Sequence, residues 1–280
     1  MIFSRLCISA LLYTAITFST SIFAGPFAPA AGQSGSTAIA ASDPSIQSWA
    51  GVVESYLPGS NIDAEFQTPN KALNTAGDSN GLGEGFIFDI VSLGRGGQIT
   101  LTFYPPITNG SGYDFAVFEN SFSDGFLELA WVEVSSNSVD YFRFIGASLT
   151  PNPIGAFTTS MDPTDITGFA GKYRGGYGAP FDLDELPDDP NLDKSAITHV
   201  RLIDIVGDGT TLDDTVLNNP VYDPYPTVSS AGFDLDAIAA LHIALPDKHN
   251  VPLPPVTTFL LAVFLSIGFH LTKQKTLSKR

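Results

Sequence analysis

Cysteine is nearly absent from this 280-residue chain, and so is positive charge. The one cysteine, Cys7, lies in an apolar N-terminal stretch, so no disulfide can staple the rest of the protein. Lys and Arg number 13 against 29 Asp and Glu. All the acidic residues fall between Gly25 and Asn250 with only 8 of the basic ones, so that span carries 8 − 29 = −21. A surface of that sign repels nucleic acid and anionic lipid, and suits divalent cations, neutral glycans or simple solubility. Histidine is scarce too. His199, His242, His249 and His270 are scattered, with no zinc-ligand spacing, no Ser-His-Asp order and no phosphate-binding glycine loop around them. Paired carboxylates could hydrolyse glycosides, but acidic pairs abound here by composition alone, and the chain reads as non-enzymatic.

The two ends differ from the middle. Residues 1–24 carry Arg5, an apolar run from Leu6 to Phe18 and a close on Ile22-Phe23-Ala24. That is the layout of an export signal, with cleavage expected after Ala24. Residues 25–42, rich in Ala, Gly and Ser, read as a flexible leader. At the other end, a linker over 246–255 precedes an apolar run over 256–272 and a basic tail over 273–280 with Lys273, Lys275, Lys279 and Arg280. The run predicts a membrane helix, short against the usual ~20 residues. Its basic end stays cytoplasmic and the acidic domain outside.

Between these ends, 43–245 reads as one domain, large enough for a sizeable core without disulfides. Asp43-Pro44 followed by Ile46, Trp49, Val52, Val53 and Tyr56 at helical spacing predicts one short N-terminal helix, stopped by Pro58-Gly59. From Gly83 onward short runs alternate with period two between Gly, Pro, Asn and Asp. Phe86 to Val91, Gln98 to Phe103, Tyr113 to Glu119, Leu129 to Ser135, Tyr141 to Ile145, His199 to Val206 and Phe233 to Leu241 are the expected strands. No helical pattern recurs between them. The expected fold is all-β, a two-sheet, jelly-roll-like β-sandwich. Pro151 to Lys194 shows the least strand pattern, and reads either as a binding loop or as cover for a sheet edge.

Carboxylates break three apolar faces in this pattern. Glu119 follows Tyr113, Phe115 and Val117 on one face, Asp204 follows Val200 and Leu202, and Asp234 and Asp236 share a face with Ile238. A buried unpaired charge is costly, so each needs a partner or a cation. With an excess of Asp and no disulfide, the expectation is one structural Ca²⁺ held by some of Glu119, Asp204, Asp234 and Asp236. The open alternative is that they face solvent or pair with Arg143, Arg201 or backbone amides. Tyr173, Tyr177, Tyr222 and Tyr225 lie in Gly- or Pro-rich loops and are the candidates for stacking on sugar rings, with loop anchoring as the alternative.

The tail carries a resemblance. Val251-Pro252-Leu253-Pro254, one hydrophobic helix and a basic terminus are similar to the PEP-CTERM sorting signal, with Leu253 where the name-giving pattern has Glu and lysine in place of arginine. Tyr113-Asp114-Phe115-Ala116-Val117-Phe118-Glu119-Asn120, Val132-Glu133-Val134-Ser135-Ser136, Ala170-Gly171-Lys172-Tyr173, His199-Val200-Arg201-Leu202-Ile203-Asp204 and Gly232-Phe233-Asp234-Leu235-Asp236-Ala237 resemble segments of PEP-CTERM cell-surface proteins, covering roughly Ser48 to Leu241. The resemblance implies a surface or extracellular-matrix protein of a Gram-negative bacterium, anchored at least transiently in the inner membrane. An exosortase-type enzyme is the implied partner, with exopolysaccharide and biofilm as the setting. It implies no catalytic residue.

Overall fold

A computed structural model describes residues 24–73, 75–77 and 89–245. The export signal up to Phe23, the Val251-Pro252-Leu253-Pro254 motif and the 256–272 run lie outside the described residues. Among those described, no helix is long and apolar enough to cross a membrane.

The protein is all-β. In chain order its strands are β1 (Ile39–Ala40), β2 (Ser48–Trp49), β3 (Val52–Leu57), β4 (Val91–Ser92), β5 (Gln98–Ile107), β6 (Phe115–Glu119), β7 (Ala130–Ser135), β8 (Phe142–Arg143) and β9 (Ala147–Ser148). They continue with β10 (Ile154–Gly155), β11 (Ile166–Thr167), β12 (Tyr177–Phe181), β13 (Ile197–Asp204), β14 (Asp208–Leu212), β15 (Pro220–Tyr222), β16 (Pro224–Tyr225) and β17 (Asp234–Ala240). One sheet runs β1-β12-β6-β17-β2, with β4 also paired to β17; the other runs β3-β5-β13-β7-β8. Three two-stranded ladders, β9 with β11, β10 with β16 and β14 with β15, lie outside them.

Both sheets contribute to one core. Phe115, Val117, Phe181, Leu235 and Ile238 of the first pack in the same cluster as Ile99, Leu101, Val132, Val134, Val200 and Leu202 of the second. The period-two pattern of Ile99, Leu101 and Phe103 does what alternation dictates, sending one face of β5 inward. β6 and β17 are buried on both faces. Their other face, with Ala116, Phe118, Ala237 and Ala239, is covered by Ile39, Ala41, Ile46 and Trp49 from the N-terminal segment.

That cover corrects two expectations. The short helix over Ile46 to Tyr56 is absent; the same residues form β2 and β3. The chain changes sheets there, because the Ala50 amide donates to Ile238 of one sheet (3.0 Å) and the Gly51 amide to Thr102 of the other (2.9 Å). A helix would leave the edges of β5 and β17 unpaired, and that tertiary gain overrides a weak local preference. Residues 25–42 are no flexible leader either. Ala30 and Ala31 are buried, β1 pairs with β12, and Arg174 donates to the Ala31 carbonyl at 2.9 Å.

The stretch Pro151 to Lys194 holds β12, inserted between β1 and β6. Tyr-Gly-Ala-Pro-Phe carries both strand breakers and so hides its nature. Gly178 is needed because a Cβ there would stand 2.8 Å from the Phe118 ring and 3.0 Å from the Ala116 side chain.

Candidate functional site

Five acidic side chains gather at the strand ends on one side of the domain. Glu119 closes β6, Glu128 precedes β7, Asp204 closes β13, Asp223 lies between β15 and β16, and Asp234 opens β17. Antiparallel pairing explains the gathering, because β6 runs against β17 and β7 against β13, so ends meet beginnings. Asp204 joins the two sheets, accepting from the Phe233 amide at 2.8 Å just ahead of β17 and from the Gly96 amide, also at 2.8 Å.

All five are buried, at 1–5 % exposure. Their partners are amides and hydroxyls. Glu119 Oε2 accepts from the Ser121 amide (2.8 Å), Asp223 Oδ2 from the Leu129 amide (2.9 Å), and Asp234 Oδ1 from the Ser92 hydroxyl (2.5 Å). Glu119 Oε1 and Glu128 Oε1 are buried without a hydrogen-bond partner. Among the described residues, no Lys, Arg or His forms an ion pair with any of the five.

The electrostatics follow from this. Burial pushes Asp204 and Asp234 up to about 7, against the amides of Gly96 and Phe233 on the first and the hydroxyls of Ser92 and Ser230 on the second. Burial also raises Glu119 well above the carboxylate range, with the charge of Asp234 adding to it. Glu128 is raised by burial and then by Asp234, Glu119 and Asp223, and Asp223 by burial and then by Asp204. Glu119, Glu128, Asp204 and Asp223 thus resist ionisation first through burial and then because a neighbour is an acid, while Asp234 does so through burial.

The four sequence candidates fare differently. Glu119, Asp204 and Asp234 come together. Asp236 is buried and accepts from the Gly77 amide at 2.9 Å. A register shift between Leu235 and Ala237 breaks the simple alternation, so Leu235, not Asp236, packs in the core with Ile238. Glu128 and Asp223 were not foreseen, because neither lies on a strand. Their only trace is an acid set between apolar neighbours, Leu127 and Leu129 in one case and Val221 close before Asp223 in the other. Among the described residues no group of three Asp, Glu, His or Cys side chains is drawn close enough to form a ready metal centre.

The tyrosines separate as well. Tyr173 is 1 % exposed with its hydroxyl 2.8 Å from Thr37 Oγ1, so it anchors the N-terminal cover and offers no stacking face. Tyr177 is half-buried with the Arg174 guanidinium 4.6 Å from its ring centroid, and Tyr225 with that of Arg95 at 4.9 Å. Tyr222 is half-buried against the small cluster of Leu127, Trp131 and Val221.

An aromatic set escaped the sequence reading. Phe122 and Phe126 stack at 4.4 Å, and Phe157 lies nearly parallel to Phe126 at 6.3 Å. Phe122 and Phe157 are half-exposed. Phe122 and Phe126 belong to the loop between Glu119 and Glu128, which Ser121 holds by donating to the carbonyls of Ser123 and Phe126. Large apolar rings in a polar loop, Asn120-Ser121-Phe122-Ser123-Asp124-Gly125, were the available clue. Arg174 links this loop to Tyr177, pairing with Asp124 at 2.8 Å.

Two histidines have acidic partners. His242 Nδ1 is 2.9 Å from Asp114 Oδ1, and His199 Nε2 is 3.0 Å from Glu54 Oε2. Asp114 is already bonded by the amides of Gly110 and Leu183, which makes it a brace for the turns around it. No family model matches this chain, and no curated protein is significantly similar to it.

Proposed function

We propose that this is an exported, non-enzymatic protein of the bacterial cell surface or extracellular matrix, whose β-sandwich is stabilised by Ca²⁺ and binds a neutral glycan. The observation that carries the cation is the pair of unpartnered buried oxygens, Glu119 Oε1 and Glu128 Oε1, in a cluster where Arg95 acts on Asp204 and no basic side chain forms an ion pair among the described residues. Buried charges require pairing or a metal. Calcium takes six to eight oxygens, among them carbonyls and water, so a few carboxylates suffice. Asp204 and Asp223 use oxygens on backbone amides and act as braces, so Glu119, Glu128 and Asp234 are the acids that an ion would have to draw together, with carbonyls and water completing its shell. The joint core of the two sheets supports the jelly-roll-like sandwich. The Val251-Pro252-Leu253-Pro254 motif and the 256–272 run support membrane anchoring and release by an exosortase-type enzyme.

Thermal unfolding of the processed chain, with excess Ca²⁺ and with chelator, tests the ion. Binding to the native state alone must raise the midpoint. A rise specific to Ca²⁺ and lost in Glu128→Gln supports the site; no rise sinks it.

The glycan reading rests on the stacked rings of Phe122, Phe126 and Phe157, with Tyr177 tied to their loop through Arg174, on a domain whose charge disfavours anionic partners. Glycan arrays with wild type and Phe157→Ala test it. Selective binding lost in the variant supports recognition. No binding to any glycan leaves a structural or adhesive matrix component, and turnover of a polysaccharide would make it an enzyme.

A further inference from the structure

The turn over residues 162–166 receives the start of the described chain. The Gly25 amide donates to Thr164 Oγ1 at 2.6 Å, and the Phe27 amide to the Thr164 carbonyl at 3.1 Å. Thr164 is set for this, since its hydroxyl donates to Asp162 Oδ1 at 2.7 Å and turns a lone pair towards Gly25. A Cβ on Gly25 would clash with the Thr164 carbonyl and with Asp165 Oδ1, so the backbone lies flush against that carboxylate. Asp162 and Asp165 are half-buried, and neither has an ion-pair partner among the described residues. Burial and the charge of Asp162 both raise Asp165. Lys172 is the cation on this turn, but its ammonium is held by the carbonyls of Pro163 (3.0 Å) and Ile166 (2.5 Å), below the Phe27 ring.

One carboxylate, Asp165, therefore lies against the Gly25 backbone, and a second, Asp162, stands one hydroxyl away from the nitrogen that the expected cleavage after Ala24 would free. We propose that this turn is a receptor for the mature N-terminus: removal of the leader completes an ion pair between the Gly25 ammonium and Asp165 and Asp162. In the cleavage, water adds across the Ala24–Gly25 amide; Ala24 leaves as a carboxylate and Gly25 nitrogen becomes an ammonium. An α-amine of ordinary pKa about 8 is charged at neutral pH. The precursor has only a neutral amide at this point, with one proton to give. What is pinned is the segment that continues through Ala31 and Thr37 to Ile39 and Ala41, the cover of the β6–β17 face. This inference rests on the export reading and not on the calcium reading.

The test compares the 25–280 chain, in detergent, with the same chain retaining Ala24. The chain with free Gly25 is expected to melt about 2 °C higher, the effect of a partly exposed ion pair in a domain of this size. Asp165→Asn should erase the difference while leaving the Ala24-extended chain little changed. Equal midpoints for both wild-type forms overturn the proposal. Mass spectrometry of the exported protein is the separate control: a mature N-terminus other than Gly25 overturns the processing reading, and the proposal with it.

Discussion

Glu133 and Glu128 stand five residues apart and are both almost wholly out of water, at 7 % and 3 % exposure, yet they are treated in opposite ways. Register places Glu133 between Arg143 on β8 and Arg201 on β13. Arg143 donates to its Oε1 from Nε (3.0 Å) and Nη2 (2.8 Å), and Arg201 Nε to its Oε2 (2.7 Å). Each guanidinium also lies over an aromatic ring, Arg143 over Trp131 and Arg201 over Tyr141. Around Glu128 the nearest charges are acids. The middle of the second sheet carries its counterions in the sequence. Among the described residues the strand-end cluster has no such pairing: Arg95 lowers the pKa of Asp204 without forming an ion pair, and burial pushes the acids toward their neutral form unless a cation joins them.

The largest effect is expected where the pairing is complete. Arg201→Met strips Glu133 Oε2 of its guanidinium in a buried setting and should lower stability by about 2–3 kcal/mol by urea unfolding, since removing one partner strands the other charge. The loss should be the same with Ca²⁺ and with chelator. A loss confined to chelator would mean that the two regions share one counterion, and the contrast between them would fall.

Glutamine substitution should reverse sign between the regions. Glu133→Gln removes a charge held by two guanidinium groups and destabilises by about 1–2 kcal/mol. Glu128→Gln in chelator removes a repelled, poorly solvated acid from a near-isosteric site, and should be neutral or stabilising by up to about 1 kcal/mol. In excess Ca²⁺ the same variant should lose the midpoint rise of the wild type. Equal destabilisation by both in chelator would show that Glu128 already has a favourable partner.

The acid cluster also predicts a pH dependence. Asp204 and Asp234 titrate near 7 in the native state, above an unfolded value near 4. Between about pH 4 and 7 the native protein therefore binds more protons than the unfolded chain. Metal-free stability should be greatest below that window and fall as pH rises through it, and Glu119, Glu128 and Asp223, raised by burial as well, extend the fall in the same direction. Calcium needs the ionised acids, so its stabilisation should grow over the same interval. A metal-free protein whose stability rises from pH 5 to 7 would contradict the burial assigned to these groups.

Much of this contrast was legible in the chain, and the rest was hidden for physical reasons. Alternation in Ile99-Thr100-Leu101-Thr102-Phe103 marks β5 because half-burial has period two. The isolated acids Glu119, Asp204 and Asp234 were visible as interruptions of apolar faces. Glu128 and Asp223 were not, since they come from connections, where an acid is unremarkable until packing buries it. The β17 bulge moved Asp236 off the expected face, and a shift of one residue leaves no mark in composition. Ile46 to Tyr56 satisfied helical spacing, but the chain there bridges two sheet edges, and only the assembled sheets supply that demand. For Tyr173 the chain leaves sugar stacking and loop anchoring both open, and the N-terminal cover that closes over it makes it an anchor.

The smallest effect is local and bears most directly on the contrast. The Ser121 amide is bonded to Glu119 Oε2 and the Leu129 amide to Asp223 Oδ2, so both report on the acid cluster. The Val132 and Val134 amides belong to β7, beside the arginine-paired Glu133. If Ca²⁺ supplies the missing charge, the Ser121 and Leu129 amides should exchange several-fold more slowly when it is bound. The β7 amides should slow only by the factor that global stabilisation imposes on every slowly exchanging site. Hydrogen exchange read residue by residue separates the two. A uniform slowing across all four amides would mean that the loop already opens only with the whole domain, and that the ion stabilises the fold without specifically ordering the ring of acids or the aromatic residues between Glu119 and Glu128.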